Sequence, residues 1–320
     1  MPELPEVETV ARGLRAVLVG RRILAVRLGK TDFMDDPAAL ERDLPGNQIE
    51  AVERFGKFLL LRLASGNGSA PREPRQSLLV HLGMTGQLVS QRADEPPRLH
   101  THAALLLDDG RELRYTDIRR FGRLALVVEP ALAQHLGRLG ADPLEVSEEE
   151  FCARLGARRA MVKALLLDQH VLRGMGNIYA DESLWRARIH PQRRAAQLRR
   201  AQLAQLRRAV RGVLQAAIRL RGSSISDFVD AAGEPGDYQR RHRVYQREGK
   251  PCFRCGGKIR RVIVAGRSSY FCPRCQPAPR RARNVSLRRC RGPARRDAAT
   301  AQPRRRSARP RRAARAARAR

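Results

Sequence analysis

Residues 252–275 read CFRCGGKIRRVIVAGRSSYFCPRC. Two Cys-x2-Cys pairs, Cys252 with Cys255 and Cys272 with Cys275, are separated by sixteen residues. This is the spacing of a tetrahedral four-thiolate zinc site in which each pair forms a tight knuckle. The intervening segment reads as a β-hairpin turning near Ala265–Gly266, with Arg267 just past the turn and projecting outward. So short a hairpin buries too little to fold alone, and one structural Zn2+ would supply its stability. Two chance Cys-x2-Cys pairs, or a redox pair, are the other readings of such cysteines. Cys152 and Cys290 lack partners and are read as a buried thiol and a tail residue.

The chain around this module has 320 residues, enough for two or three domains, and a formal charge of +32. That charge points to a polyphosphate partner. Only five of its 64 cationic residues are lysines, at positions 30, 57, 163, 250 and 258. Arginine binds phosphate but stays protonated, which makes it a poor nucleophile or proton shuttle, so each lysine is a candidate for chemistry. The last 44 residues, 277–320, hold 17 arginines and one aspartate with almost no core-forming residues. That composition predicts a disordered electrostatic arm. The start of the chain lacks the basic-then-apolar pattern of a signal peptide, and no apolar run is long enough to span a bilayer. The expectation is a cytoplasmic, nucleoid-associated protein facing nucleic acid.

Upstream, residues 5–19 read as an amphipathic helix with Pro5 in its first turn and Gly20 ending it. From about 22 to 128 short apolar runs such as ILAVRL, FLLLRL, SLLVHL and RLALVV alternate with turn signals, which suggests a β-sandwich. Ser147 and Glu150 then open a stretch of charged amphipathic helices. The expected architecture is an α+β multidomain chain. A β-sandwich with a leading helix occupies 1–134, a helical DNA-binding domain 135–244, the zinc hairpin 245–276 and the arginine-rich tail 277–320.

The first ten residues, MPELPEVETV, contain three glutamates, two prolines and no cation. A small residue at position 2 allows removal of the initiator methionine, exposing Pro2 as a secondary amine. An α-amino group titrates near 7.7–8.0, far below a lysine at about 10.4, so much of it is unprotonated at neutral pH. Amines attack carbonyl-like carbons to give Schiff bases, and a secondary amine gives a cationic iminium with no N–H to lose. Glu3 beside it could protonate an opening sugar or a leaving group. Chemistry alone leaves this reading level with an ordinary helix lead-in.

MPELPEVETV resembles the opening of the bacterial formamidopyrimidine-DNA glycosylases, bifunctional enzymes that excise oxidised purines. FGKFLLLRL, HLGMTGQL, RYTDIRRFGRL, RGMGNIYADESLWRARIHP, GEPGDY and GRSSYFCPRCQ resemble the same family in the same order, over about residues 1–276. The resemblance implies a nucleophile at Pro2, a proton donor at Glu3 and a proton donor for strand-cleaving elimination at Lys57. It makes Arg267 the finger arginine that grips the phosphates around the lesion and takes part in the second elimination. An extruded base leaves a gap, which Met84, Arg119 and Phe121 would fill. Asn177, in a helix–two-turns–helix element, together with His100, Arg119 and Arg159, would contact DNA. The segment 222–236 resembles a loop closing over the extruded base. Glu6 matches an acidic position of the opening motif, although dipole matching in the first helical turn also accounts for it.

The chain departs from the family at Leu99-His100-Thr101-His102, at Asp237-Tyr238, and at His242 and Gln246, none of which touches the catalytic residues. The implied function is a monomeric glycosylase and AP lyase of base excision repair. It would remove 8-oxoguanine and formamidopyrimidines from double-stranded DNA and cut at abasic sites, with no membrane partner. An endonuclease VIII-like enzyme for oxidised pyrimidines and a non-catalytic zinc-ribbon DNA binder are the rivals.

Overall fold

The computed structural model describes residues 2–65 and 75–279; the segment from 280 onward, with Cys290 and almost all of the predicted tail, lies outside the described residues. The leading helix α1 runs Leu4–Leu18, and Gly20 follows it at φ 86°. The strands are β1 Ile23–Leu28, β2 Asn47–Phe55, β3 Phe58–Ser65 and β4 Gln76–His81. They continue with β5 Gln87–Arg92, β6 Thr101–Leu107, β7 Arg111–Thr116 and β8 Arg123–Val128. A short helix, α2 Pro37–Asp43, lies between the first two strands, and α3 Glu129–Leu136 follows the last. The strands form two antiparallel four-stranded sheets, ordered β1-β6-β7-β5 and β2-β3-β4-β8.

Apolar residues of both sheets meet in one core, where α1 contributes Val7, Val10, Leu14 and Leu18, each no more than 1% exposed. Burying a side chain of this size stabilises the fold by roughly 1.5–3 kcal/mol. The next helices are α4 Glu148–Gly156, α5 Val162–Leu167, α6 Asn177–Ala187 and α7 Arg200–Arg219, which enclose a second core. Ser147 caps α4 by accepting from Glu150 N at 3.1 Å, one half of the capping box the sequence suggests, while the Glu150 carboxylate pairs with Arg154 instead. Cys152, on α4, is half-buried rather than buried.

One residue of α1 belongs to the second core. Leu4 packs among the helices, and its N–H donates to Gly174 O at 2.9 Å. The start of the chain is therefore pinned at the junction of sandwich and helices. The hairpin β9 Arg260–Val264 and β10 Arg267–Phe271 turns at Ala265–Gly266, where both φ angles are positive. Among the described residues no helix is long and apolar enough to cross a membrane.

Candidate active site

A cleft of about 600 Å3 opens at this junction, lined among others by Pro2, Glu3, Lys57, Met84, Asn177 and Arg267. Five loops and termini distant in sequence bring these groups together. Pro2 is buried and lines the cleft. Glu3 is only 4% exposed, and its carboxylate accepts from Ile178 N at 3.0 Å and Tyr179 N at 3.4 Å. It thus occupies the positive end of α6, where free amides and the helix dipole favour an anion. Gly176 makes this possible, because a Cβ there would lie 2.2 Å from the Glu3 carboxyl carbon. Burial nevertheless holds the Glu3 carboxyl above its usual range, against the charge of Lys57 and the two amides.

Lys57 sits in the two-residue turn between β2 and β3, one position before the strand the sequence suggested. Burial depresses its ammonium, Glu3 partly restores it, and the Arg267 charge depresses it further. Arg267 opens β10, is exposed and faces the cleft. Asn177 donates from Nδ2 to Ser268 O at 3.0 Å, which ties α6 to the hairpin.

Two buried groups escaped the sequence reading as site residues. Lys163 is 0% exposed and reaches Ser268 O at 2.9 Å, Ser269 Oγ at 2.7 Å and Asp181 Oδ1 at 2.7 Å. Asp181 in turn accepts from Tyr270 N at 2.9 Å. The exposed edge of β10 is thereby satisfied by side chains from α5 and α6, and Arg267 is fixed at its end. Burial lowers the Lys163 ammonium and raises the Asp181 carboxyl to about 7, each opposed by the other's charge. The scarcity of lysine was the available signal for Lys163.

Glu6 is the second. The dipole account is insufficient, because its side chain is 2% exposed and fully engaged. It accepts from Glu3 N at 2.8 Å, from Ser223 N at 2.7 Å and from the Tyr179 hydroxyl. It therefore links the chain start to the beginning of the 222–236 segment. Burial, reinforced by the nearby Glu3 charge, raises its carboxyl from 4.5 to about 7. The folded protein thus holds this proton more tightly than the unfolded chain does. The associated stability is complete below about pH 4.5 and is lost, roughly 3 kcal/mol in all, as pH rises through about 7. Glu6→Gln is expected to flatten that slope, so that denaturant midpoints compared at about pH 5 and about pH 8 diverge less than in the parent. Equal slopes in the two proteins would refute the assignment.

Met84 lies in the β4–β5 loop, and Arg119 and Phe121 lie in the β7–β8 loop. Met84 is 41% and Phe121 55% exposed, although residues of these types usually pack in a core. Arg119 joins them, with Nη1 3.4 Å from Met84 Sδ and its guanidinium 4.5 Å from the Phe121 ring centre. His100 is half-buried in the turn before β6 with φ 67°, and Arg159 is exposed between α4 and α5.

The thiol sulfurs of Cys252, Cys255, Cys272 and Cys275 all lie within 4.8 Å of one another. The cross pairs Cys252–Cys275 and Cys255–Cys272 are 4.0 and 3.4 Å apart. A tetrahedral zinc with bonds near 2.3 Å needs sulfurs about 3.8 Å apart, so the donor set fits one Zn2+. Four thiolates leave no open position for substrate, and the role is structural. Trp185 Nε1 donates to Cys252 Sγ at 3.4 Å, joining α6 to the knuckle.

Buried Pro2 and Glu3, a lysine whose ammonium is depressed, an arginine at the end of a four-cysteine zinc hairpin and exposed Met84 and Phe121 fit a nucleic-acid enzyme. Comparison with known proteins narrows the class. The Formamidopyrimidine-DNA glycosylase N-terminal domain matches residues 1–124, the H2TH domain of the same enzymes 139–229, and the zinc finger found in FPG and IleRS 249–278. The formamidopyrimidine-DNA glycosylase of Herpetosiphon aurantiacus is 44% identical over 281 residues, covering 86% of this chain and all of the relative. That of Heliobacterium modesticaldum is 46% identical over 285 residues, again covering 86% of this chain and all of the relative. A solved complex between the Lactococcus lactis Fpg and an abasic site containing DNA is 33% identical, with a TM-score of 0.78 over 86% of this chain and all of that one. MutM in complex with carbocyclic 8-oxo-G containing DNA is similar at the same identity and TM-score, over 87% of this chain. The chain belongs to the formamidopyrimidine-DNA glycosylase family.

Proposed function

We propose that Pro2 and Glu3 make this chain a bifunctional DNA glycosylase and AP lyase that removes 8-oxoguanine and formamidopyrimidines from duplex DNA. The observation that carries the reading is the meeting of Pro2, Glu3, Lys57 and Arg267 in one cleft that the exposed Met84 also lines. The Pro2 nitrogen forms a bond to C1′ as the bond to the damaged base breaks. Glu3, its carboxyl raised by burial, gives its proton to the opening sugar or the departing base. The resulting iminium acidifies the C2′ proton; its loss expels the 3′ phosphate, and a second elimination expels the 5′ phosphate. Lys57 donates a proton during these steps, and Arg267 holds the phosphates.

Met84, Arg119 and Phe121 fill the space of the extruded nucleotide, with Arg119 donating to the orphaned partner base. His100, Arg159 and Asn177 contact the backbone, and 222–236 covers the base. Residues 1–134 form the catalytic domain, 135–244 the helix–two-turns–helix domain, 245–276 the zinc finger and 277–320 the basic tail. The enzyme acts as a monomer in the cytoplasm, associated with the nucleoid.

Borohydride reduction during reaction with duplex containing 8-oxoguanine opposite cytosine is expected to trap a covalent protein–DNA adduct. Excision of that base should exceed excision of thymine glycol. Preference for thymine glycol would assign the endonuclease VIII-like activity instead, and failure to trap with methionine-free protein would favour a non-catalytic binder.

A further inference from the structure

We propose that Asp117 is a positioning residue for base extrusion: its buried carboxylate fastens the loop bearing Met84 to the loop bearing Arg119 and Phe121. The three side chains then enter the duplex as one preorganised body. The inference rests on reading those three as the wedge.

Asp117 is 0% exposed, yet it touches neither the catalytic pair nor the zinc site. Oδ1 accepts from the Thr85 hydroxyl, in the first loop, and from Arg119 N at 3.2 Å, in the second. Oδ2 accepts from Gly122 N at 2.9 Å and from the Tyr115 hydroxyl at 3.2 Å. Arg119 N also donates to Thr85 Oγ at 3.2 Å, so the loops are joined twice around one carboxylate. Asp117 N donates to His100 O at 3.1 Å, which adds a third loop of the proposed DNA face.

Packing shows the same union independently. A Cβ on Gly83 would fall 2.4 Å from the Phe121 carbonyl, and one on Gly122 would fall 2.7 Å from the backbone oxygen of His81, where β4 enters the Met84 loop. The two loops touch through backbone that only glycine permits, and Gly83 has φ 60° as well. Met84 and Phe121 are themselves too exposed to be held by packing, so their direction is set by the loops beneath them. Hydrogen bonds to an ionised acceptor are the stronger kind, and four of them use the carboxylate's acceptor capacity. An asparagine would offer a single acceptor oxygen and turn an NH2 towards two donors. A wedge whose side chains must be ordered during insertion loses the advantage of preorganisation.

Asp117→Asn is expected to lower single-turnover excision of 8-oxoguanine from duplex roughly tenfold to hundredfold, the effect of leaving buried donors unmet. The preference for cytosine over adenine opposite the lesion should fall with it, because the Arg119 backbone is no longer fixed. Borohydride trapping on a preformed abasic site, where no base is extruded, should change less than about threefold. Thr85→Val removes a single hydroxyl donor and serves as the second variant should Asp117→Asn fail to fold; it should give the same pattern with a smaller amplitude.

A proportional loss of both activities, or no loss in either, would overturn the proposal. Met84→Ala tests the underlying reading: if it too leaves excision untouched, the wedge assignment fails, and Asp117 with it. If Met84→Ala lowers excision while Asp117→Asn does not, the clamp alone is wrong.

Discussion

Protein in which the initiator methionine is retained, or the Pro2 nitrogen acylated, is expected to give no borohydride adduct with abasic-site DNA and no strand cleavage. An amide nitrogen has its lone pair delocalised into the carbonyl and cannot attack C1′. Lys57, which also lines the cleft, is not expected to substitute, since the proposed mechanism has it donate a proton. Pro2→Gly restores an amine of the ordinary α-amino type, titrating near 7.7–8.0, but a primary one. Its adduct can lose the N–H proton and become a neutral imine, a weaker electron sink, so strand cleavage should fall at least about hundredfold while some trapping persists. Mass spectrometry of the trapped species, with a single-turnover assay on each form, reads both effects. A methionine-capped protein that still traps would remove the mechanism.

Removing the zinc, by chelation or by Cys272→Ser, is expected to abolish stable binding of lesion DNA and with it strand cleavage. The hairpin comprises two strands of five residues each, and the small core beside it is built around Val244, Cys252, Ile259 and Cys272. A lone two-stranded hairpin is marginal in water, whereas a structural zinc contributes an apparent 10–16 kcal/mol or so to such a module. Loss of β10 withdraws Arg267 and strips Lys163, Asn177 and Asp181 of their partners at Ser268, Ser269 and Tyr270. The cores of sandwich and helices do not depend on the metal, so most far-ultraviolet dichroism should persist. Metal content measured beside electrophoretic DNA binding tests this. Zinc-free protein that binds and cleaves normally would contradict it.

Reading the residues in order was enough for the features whose signal is local. The cysteine spacing, the amphipathic α1, the Ser147 cap and the small residue after Met1 each occupy a few neighbouring positions. Resemblance to a family then supplied roles for Lys57, Met84, Arg119 and Phe121, of which Met84 and Phe121 would otherwise have been assigned to a core. The strand β7 was harder, because Glu112 and Arg114 occupy buried positions, 3% and 2% exposed, and pair with each other at 2.7 Å. An apolar pattern cannot report a buried ion pair.

Asp181 and Asp117 were beyond reach for the same reason, and so were the partners of Glu6 and Lys163, which the opening motif and the scarcity of lysine did single out; all four are buried around the cleft and its loops. A buried charge is tolerated only where partners satisfy it, and those partners come from far along the chain. Glu6 meets Ser223 217 residues away, and Lys163 meets Ser269 106 residues away. The sequence alone determined which groups the chain carries: a proline directly after Met1, a neighbouring acid, four clustered thiols and a surplus of guanidinium. Only the folded molecule decided which polar groups leave water to aim them, since that choice depends on contacts that no local pattern records.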